Sequence, residues 1–222
     1  MDFLILNVLL AAVPSVLLVV YFYRHDTPKR EPVSLIWKTF LWGFLAVLPA
    51  AAIEQITEGM LPPLGAASSN LINSFLVAAA VEELSKFLVV RIFIYRRKEM
   101  DEVADGIVYT ITAGLGFAFF ENILYSAGPT AVIILRGITA VPLHAVAAGI
   151  MGYYIGRSRF QGKPVFLRGI LLAILFHGLY DFLLFGQTWA SLLILPLLVI
   201  GGRVLAVMWR KAKELDREAG RI

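Results

Sequence analysis

The 222-residue sequence predicts an all-α polytopic membrane protein: one transmembrane domain of about seven helices, N-terminus outside and C-terminus cytoplasmic. Three observations predict it. The chain is 59% hydrophobic and 16% charged, with a mean hydropathy of +0.78, whereas soluble domains carry about 25% charged residues. Seven apolar stretches can be marked at roughly 3–23, 35–53, 71–95, 103–126, 130–156, 165–186 and 189–209, and about 20 apolar residues suffice to cross the hydrocarbon as a helix. Lys and Arg, finally, fall in every second link only.

Taken in order, the first stretch begins Met1-Asp2 without a basic segment, is too long for a cleavable leader, and stops at Arg24. The Thr27-Pro28-Lys29-Arg30 turn separates it from the second, which runs toward the Pro62-Pro63-Leu64-Gly65 loop. The third ends at Arg96, Arg97 and Lys98. Asp105, read as a helix N-cap, opens the fourth, and Gly128-Pro129 closes it. The fifth runs into Arg157, Arg159 and the Gly162-Lys163-Pro164 turn, the sixth follows, and Arg210, Lys211, Lys213, Arg217 and Arg221 trail the seventh. The alternate links 54–70, 127–129 and 187–188 carry no Lys or Arg. By the positive-inside rule every link votes for the same orientation, with the basic links in the cytoplasm. Trp37, Trp42, Trp189 and Trp209 mark interfaces, and Glu54 and Glu58 read as solvated at the outer surface.

The net charge of +4 is thereby accounted for by the membrane, and nucleic acid is not an expected partner. Cysteine is absent, which excludes disulfides, thiol catalysis and Cys-ligated zinc.

Ionisable side chains deep in a bilayer cost at least about 2.5 kcal/mol each and mark function. Here they are Glu82, Glu83 and Lys86 in the third stretch, Glu121 in the fourth, Arg136 and His144 in the fifth, and His177 and Asp181 in the sixth. Helix rise puts Glu82, Glu83, His144 and His177 roughly 14–21 Å from the outer ends, and Glu121, Arg136 and Asp181 roughly 8–9 Å. Two layers are expected. Glu82 and Lys86, like His177 and Asp181, are four residues apart and share a helix face.

Two adjacent carboxylates cannot both ionise cheaply in a low dielectric, which supplies a base able to activate water. Two histidines can polarise a carbonyl and stabilise the oxyanion that develops. Alternatively Glu82, Glu83, His144 and His177 could hold a divalent metal, since carboxylate and imidazole suit zinc. No cofactor is favoured; zinc is the rival. The sequence lacks His-Glu-x-x-His and Gly-x-Ser-x-Gly. Tyr180-Asp181 matches half of an intramembrane aspartyl protease pair, but Gly-x-Gly-Asp is missing.

The run Val81-Glu82-Glu83-Leu84-Ser85-Lys86 resembles the EExxK motif of the PrsW family of bacterial membrane proteases. Asp105-Gly106 together with Phe117 to Glu121-Asn122 resembles that family's second block, Arg136 with His144 the third, and His177 to Asp181 the HxxxD fourth. The blocks cover about 81–181, inside an expected catalytic core of 71–186. The resemblance implies kinship with CAAX prenyl endopeptidases and bacteriocin-immunity-type membrane proteases, in which a glutamate activates water and His, Asn or Asp support the transition state. It further implies a membrane-anchored protein substrate, with first-site cleavage of an anti-sigma factor in stress signalling as the expected role.

Expected catalytic residues are therefore Glu82, Glu83, His144, His177 and Asp181. Lys86, Glu121, Asn122 and Arg136 are expected to support them or bind substrate. Residues alone leave a second reading open, a proton-coupled transporter using the Glu/His/Asp chain as a relay. The absence of a detectable internal repeat counts against it.

Overall fold

The computed structural model describes residues 3–162 and 164–222. Met1-Asp2 and Lys163, read above as the chain start and a link cation, lie outside the described residues. No strand occurs among the described residues, and nine α-helices follow one another. They are α1 (Phe3–His25), α2 (Val33–Met60), α3 (Ala66–Ile72), α4 (Ala80–Phe93), α5 (Val103–Leu124), α6 (Thr130–Ile138), α7 (Ala140–Phe160), α8 (Phe166–Phe185) and α9 (Ile194–Glu218). A π-helical stretch, Asn73–Ala79, joins α3 to α4 without a break in the helical path.

Six segments are long and apolar enough to cross a membrane: Phe3–His25, Val33–Met60, Val103–Ala127, Thr130–Phe160, Phe166–Phe185 and Trp189–Glu218. The expected stretch 71–95 is missing from that set. Its helix changes to π geometry and then carries Glu82, Glu83 and Lys86 within two turns, so no single α-helix there is both long and apolar. The expected 130–156 helix is also divided, at Thr139 (φ −121°, ψ −60°). Pro142 explains the break: its ring lacks the N–H that the Ile138 carbonyl would need and clashes with that carbonyl in a continuous helix. Helix α9 runs nine residues beyond the expected end at 209, carrying its charged turns past the apolar segment.

Helix α5 is the axis of the fold. Of its most apolar stretch 89% is buried by protein, against 17% for α1 and for α9. Small residues permit this: a Cβ on Gly116 would stand 2.0 Å from the Phe40 carbonyl oxygen of α2, and one on Gly106 would stand 2.4 Å from the Gly152 carbonyl oxygen of α7. Close backbone approach of this kind is how helices associate where water supplies no driving force. Leu17, Leu45, Leu171, Leu175, Leu195 and Ile200 point outward and exposed, forming the apolar exterior that lipid would cover.

The α5 N-terminus is held from a distance. Asp216 of α9 accepts the Val103 and Ala104 N–H groups at 2.7 and 3.0 Å, and Arg221 backs that carboxylate at 3.0 Å. Asp105 sits at the third helical position rather than at the N-cap, and its Oδ2 accepts the Asp101 and Glu102 N–H groups at 2.7 Å each. The expectation of a capping role for Asp105 thus holds one turn further in.

Introducing a side chain at the tightest crossing should overpack it. Gly116→Val is expected to cost at least about 1–3 kcal/mol, read as a lowered Tm in detergent micelles, while Gly202→Ala, whose Cβ meets nothing within 4 Å, should leave Tm nearly unchanged.

Candidate active site

The sequence places two acids and a lysine one turn apart on α4, and the π stretch before them sets which way they face. π-helical turns concentrate at functional sites because they re-aim the side chains that follow. Phe75 of that stretch packs against α8, where a Cβ on Gly178 would meet the Phe75 ring at 2.4 Å. The histidine of α8 lies one residue earlier. His177 is thereby brought onto the α4 carboxylates.

Lys86 is the hub, fully buried. Its ammonium donates to Glu83 Oε1 at 2.7 Å, to Glu82 Oε2 at 3.2 Å and to His144 Nδ1 at 2.8 Å, and lies 4.6 Å from the centre of the Phe117 ring. An ammonium only donates, so His144 Nδ1 is the accepting nitrogen. Its Nε2–H then donates to Glu121 Oε2 at 2.9 Å. His177 Nδ1 donates to Glu83 Oε1 at 2.7 Å, and its Nε2 lies 3.3 Å from Asp181 Oδ2 and 3.9 Å from Glu82 Oε2. The two imidazoles meet edge to face at 5.2 Å.

Arg136 of α6 pairs with Glu121 Oε1 at 2.5 Å, donates to Asn122 Oδ1 at 2.7 Å, and covers the Tyr125 ring at 3.9 Å. The division of the fifth stretch at Thr139 makes this reach available, because α6 takes its own direction before α7 delivers His144. Thr139 itself hydrogen-bonds Tyr180 at 2.9 Å. All nine residues singled out from the sequence are brought into one connected group. Two separate layers, however, are not observed: the Glu121–His144 and Asp181–His177 contacts join them, because side chains of this length span a helical turn.

A cavity of about 540 Å³ adjoins the group. Glu82, Glu121, Arg136, His144, His177 and Asp181 line it, and it extends to Leu124, Tyr125, Phe185 and Gln187 at the α5 and α8 ends. Glu83 and Lys86 do not reach its wall. They stand behind Glu82.

Sequence reasoning missed Glu54. It was expected to be solvated, yet α2 continues to Met60 and carries Glu54 into the cavity wall, with Oε1 buried and unpartnered. The available signal was the run Ala50 to Glu58, which holds no Gly or Pro to end the helix. Glu58 is exposed as expected.

Glu82, His144 and His177 each offer a ligand atom within 4.8 Å of the others, a donor set that fits a zinc-type ion. Glu83, included in the expected metal set, is outside this trio and hydrogen-bonds His177 from behind, the position from which a carboxylate orients a metal-binding imidazole. The Lys86 ammonium now bridges Glu82 and His144 and would have to yield Nδ1 to an ion bound there.

The sequence profile of the PrsW family intramembrane metalloproteases matches residues 31–208. The chain belongs to the PrsW family. It is 35% identical over 212 residues to the protease PrsW of Geobacillus kaustophilus, covering 93% of this chain and 89% of that one. To the protease PrsW of Bacillus subtilis it is 34% identical over 176 residues, 77% and 79% of the two chains. To that of Clostridioides difficile it is 32% identical over 207 residues, 86% and 85%. No solved structure matches. As a PrsW-family protein the chain is a multi-pass membrane protease, which sets aside the transporter reading.

Lys86 is the ammonium paired with both Glu82 and Glu83. Lys86→Met should leave them uncompensated and cost about 3–5 kcal/mol, measured by chemical unfolding in micelles. A Glu82→Gln change in the same background should recover part of the loss.

Proposed function

We propose that this PrsW-family protease hydrolyses a peptide bond of a membrane-anchored protein near the outer membrane face, with Glu82 as the water-activating base. An anti-sigma factor cut at its first site in stress signalling is the substrate class this reading favours. What carries it is the asymmetry of the glutamate pair: Glu82 lines the cavity beside both imidazoles, while Glu83 faces Lys86 and His177 from behind.

In this mechanism Glu82 takes a proton from water as its oxygen attacks the scissile carbonyl. The His144 Nε2–H, which the substrate draws away from Glu121, and an Nε2–H of His177, carried when that imidazole is protonated between Glu83 and Asp181, donate to the oxyanion, and Glu82 returns the proton to the leaving amine as the C–N bond breaks. Arg136, holding Glu121 and Asn122, fixes the outer wall against which an unwound substrate segment lies, and Asp181 orients His177. Should a zinc-type ion be bound, Glu82, His144 and His177 would hold it, and it would lower the pKa of a bound water and polarise the carbonyl.

The orientation belongs to this proposal. With α3, the π stretch and α4 as a seventh crossing of a bacterial cytoplasmic membrane, and the links free of Lys and Arg outside, the cavity reaches the extracytoplasmic ends of α5 and α8. Irregular substrate backbone is tolerated at membrane depth only in such a hydrated, protein-lined space.

The test is cleavage of a single-span substrate by the purified, vesicle-inserted enzyme. Glu82→Gln should reduce turnover by about 10²–10⁴, and wild-type turnover in it would overturn the base assignment. His144→Ala and His177→Ala should each lose about 10²–10³. Mass spectrometry of the products should put the new termini at or just beyond the outer face of the substrate's span. Termini on the cytoplasmic side would overturn the entry route and the orientation together.

A further inference from the structure

A second group of acids lies at the other end of α5, away from the cavity. Asp26 follows α1, Glu31 precedes α2, and Asp105 stands in the first turn of α5. They are 0%, 5% and 1% exposed, and each offers an oxygen within 4.8 Å of the others. Glu102, also buried, adjoins them. Two regions remote in sequence, the α1–α2 link and the first turn of α5, thus deliver acids to one enclosed point.

Their partners are too few. Among the described residues one ammonium reaches the group, Lys213, 2.9 Å from Asp26 Oδ1 and 3.3 Å from Glu102 Oε2. Lys29 pairs with Asp101 at the exposed rim, and Arg221 is engaged with Asp216. The Tyr109 hydroxyl donates to Glu31 Oε2, and Asp105 Oδ2 is committed to two backbone N–H groups. Asp26 Oδ2, Asp105 Oδ1 and Glu102 Oε1 are buried with no hydrogen-bond partner. An unmatched buried carboxylate oxygen costs more than a neutral one, and here three are gathered around a net negative charge.

We propose that Asp26, Glu31 and Asp105 bind a hard divalent cation, Mg²⁺ or Ca²⁺, that ties the α1–α2 link to the base of α5. The all-oxygen, carboxylate-rich donor set is the one these ions select, unlike the imidazole-containing trio at the active site. One divalent charge offsets most of the local excess, and water completes the coordination shell.

The experiment uses the full chain in micelles, stripped of metal, with Tb³⁺ as a luminescent probe excited through Tyr109. Saturable Tb³⁺ emission, displaced by Ca²⁺ or Mg²⁺, is expected. Its affinity should fall roughly tenfold or more in Glu31→Gln and in Asp26→Asn and persist in Glu82→Gln. Emission lost in Glu82→Gln but kept in Glu31→Gln would assign the ion to the active site and overturn the proposal, as would no saturable emission at all. Because the Glu31 variant also strips Tyr109 of its acceptor, the wild-type protein supplies an independent reading. Mg²⁺ or Ca²⁺ should raise the Tm of the metal-stripped wild-type protein and raise it much less in Asp26→Asn. An equal shift in both proteins, or none, would overturn it.

Discussion

The buried ammonium of Lys86 is the constraint on which the site rests. Two glutamates and a histidine converge on it, and it is the one group that touches all three. Because Lys86 can only donate, it fixes His144 in the tautomer that points an N–H toward Glu121. The orientation of one side chain thus passes through an imidazole to the outer wall of the cavity. Glu83 plays the matching part for His177. The pair of acids that looks redundant in sequence is divided in space, one member against the cavity and one against its supports.

Helix α5 transmits this order along the fold. At one end Asp216 and Asp105 satisfy backbone donors that a helix terminus otherwise leaves open. At the other, Glu121 and Asn122 meet Arg136. Between them glycines bring α2 and α7 into backbone contact, so the ends cannot shift independently without breaking close packing.

The helical fold and the membership of the site were legible in the sequence because membranes make both conspicuous. Apolar length announces helices, and a polar residue at depth announces a reason for being there. The same logic hid other features. Glu54 sat at the margin of an apolar stretch, where a solvated acid is the cheaper reading, and only the continuation of α2 turns it inward. The break at Thr139 depends on one missing N–H at Pro142, too local to disturb hydropathy. Asp26 and Glu31 carry no mark in the link sequence that would single them out, since the groups that enclose them, Tyr109 of α5 and Lys213 of α9, are remote in sequence.

The π-helical stretch Asn73–Ala79 gives the active-site residues a frame that α-helical periodicity alone would not. A wider turn accommodates a surplus residue, and each residue rotates an α-helix by about 100°. Removing one residue there and letting the segment relax to α geometry would swing Glu82, Glu83 and Lys86 together around the α4 axis, away from His144 and His177. The motif would keep its spelling and lose its address. Chain length just upstream of the glutamates is therefore constrained, and an insertion or deletion between Asn73 and Val81 is a change to the chemistry even though it touches none of the reacting groups.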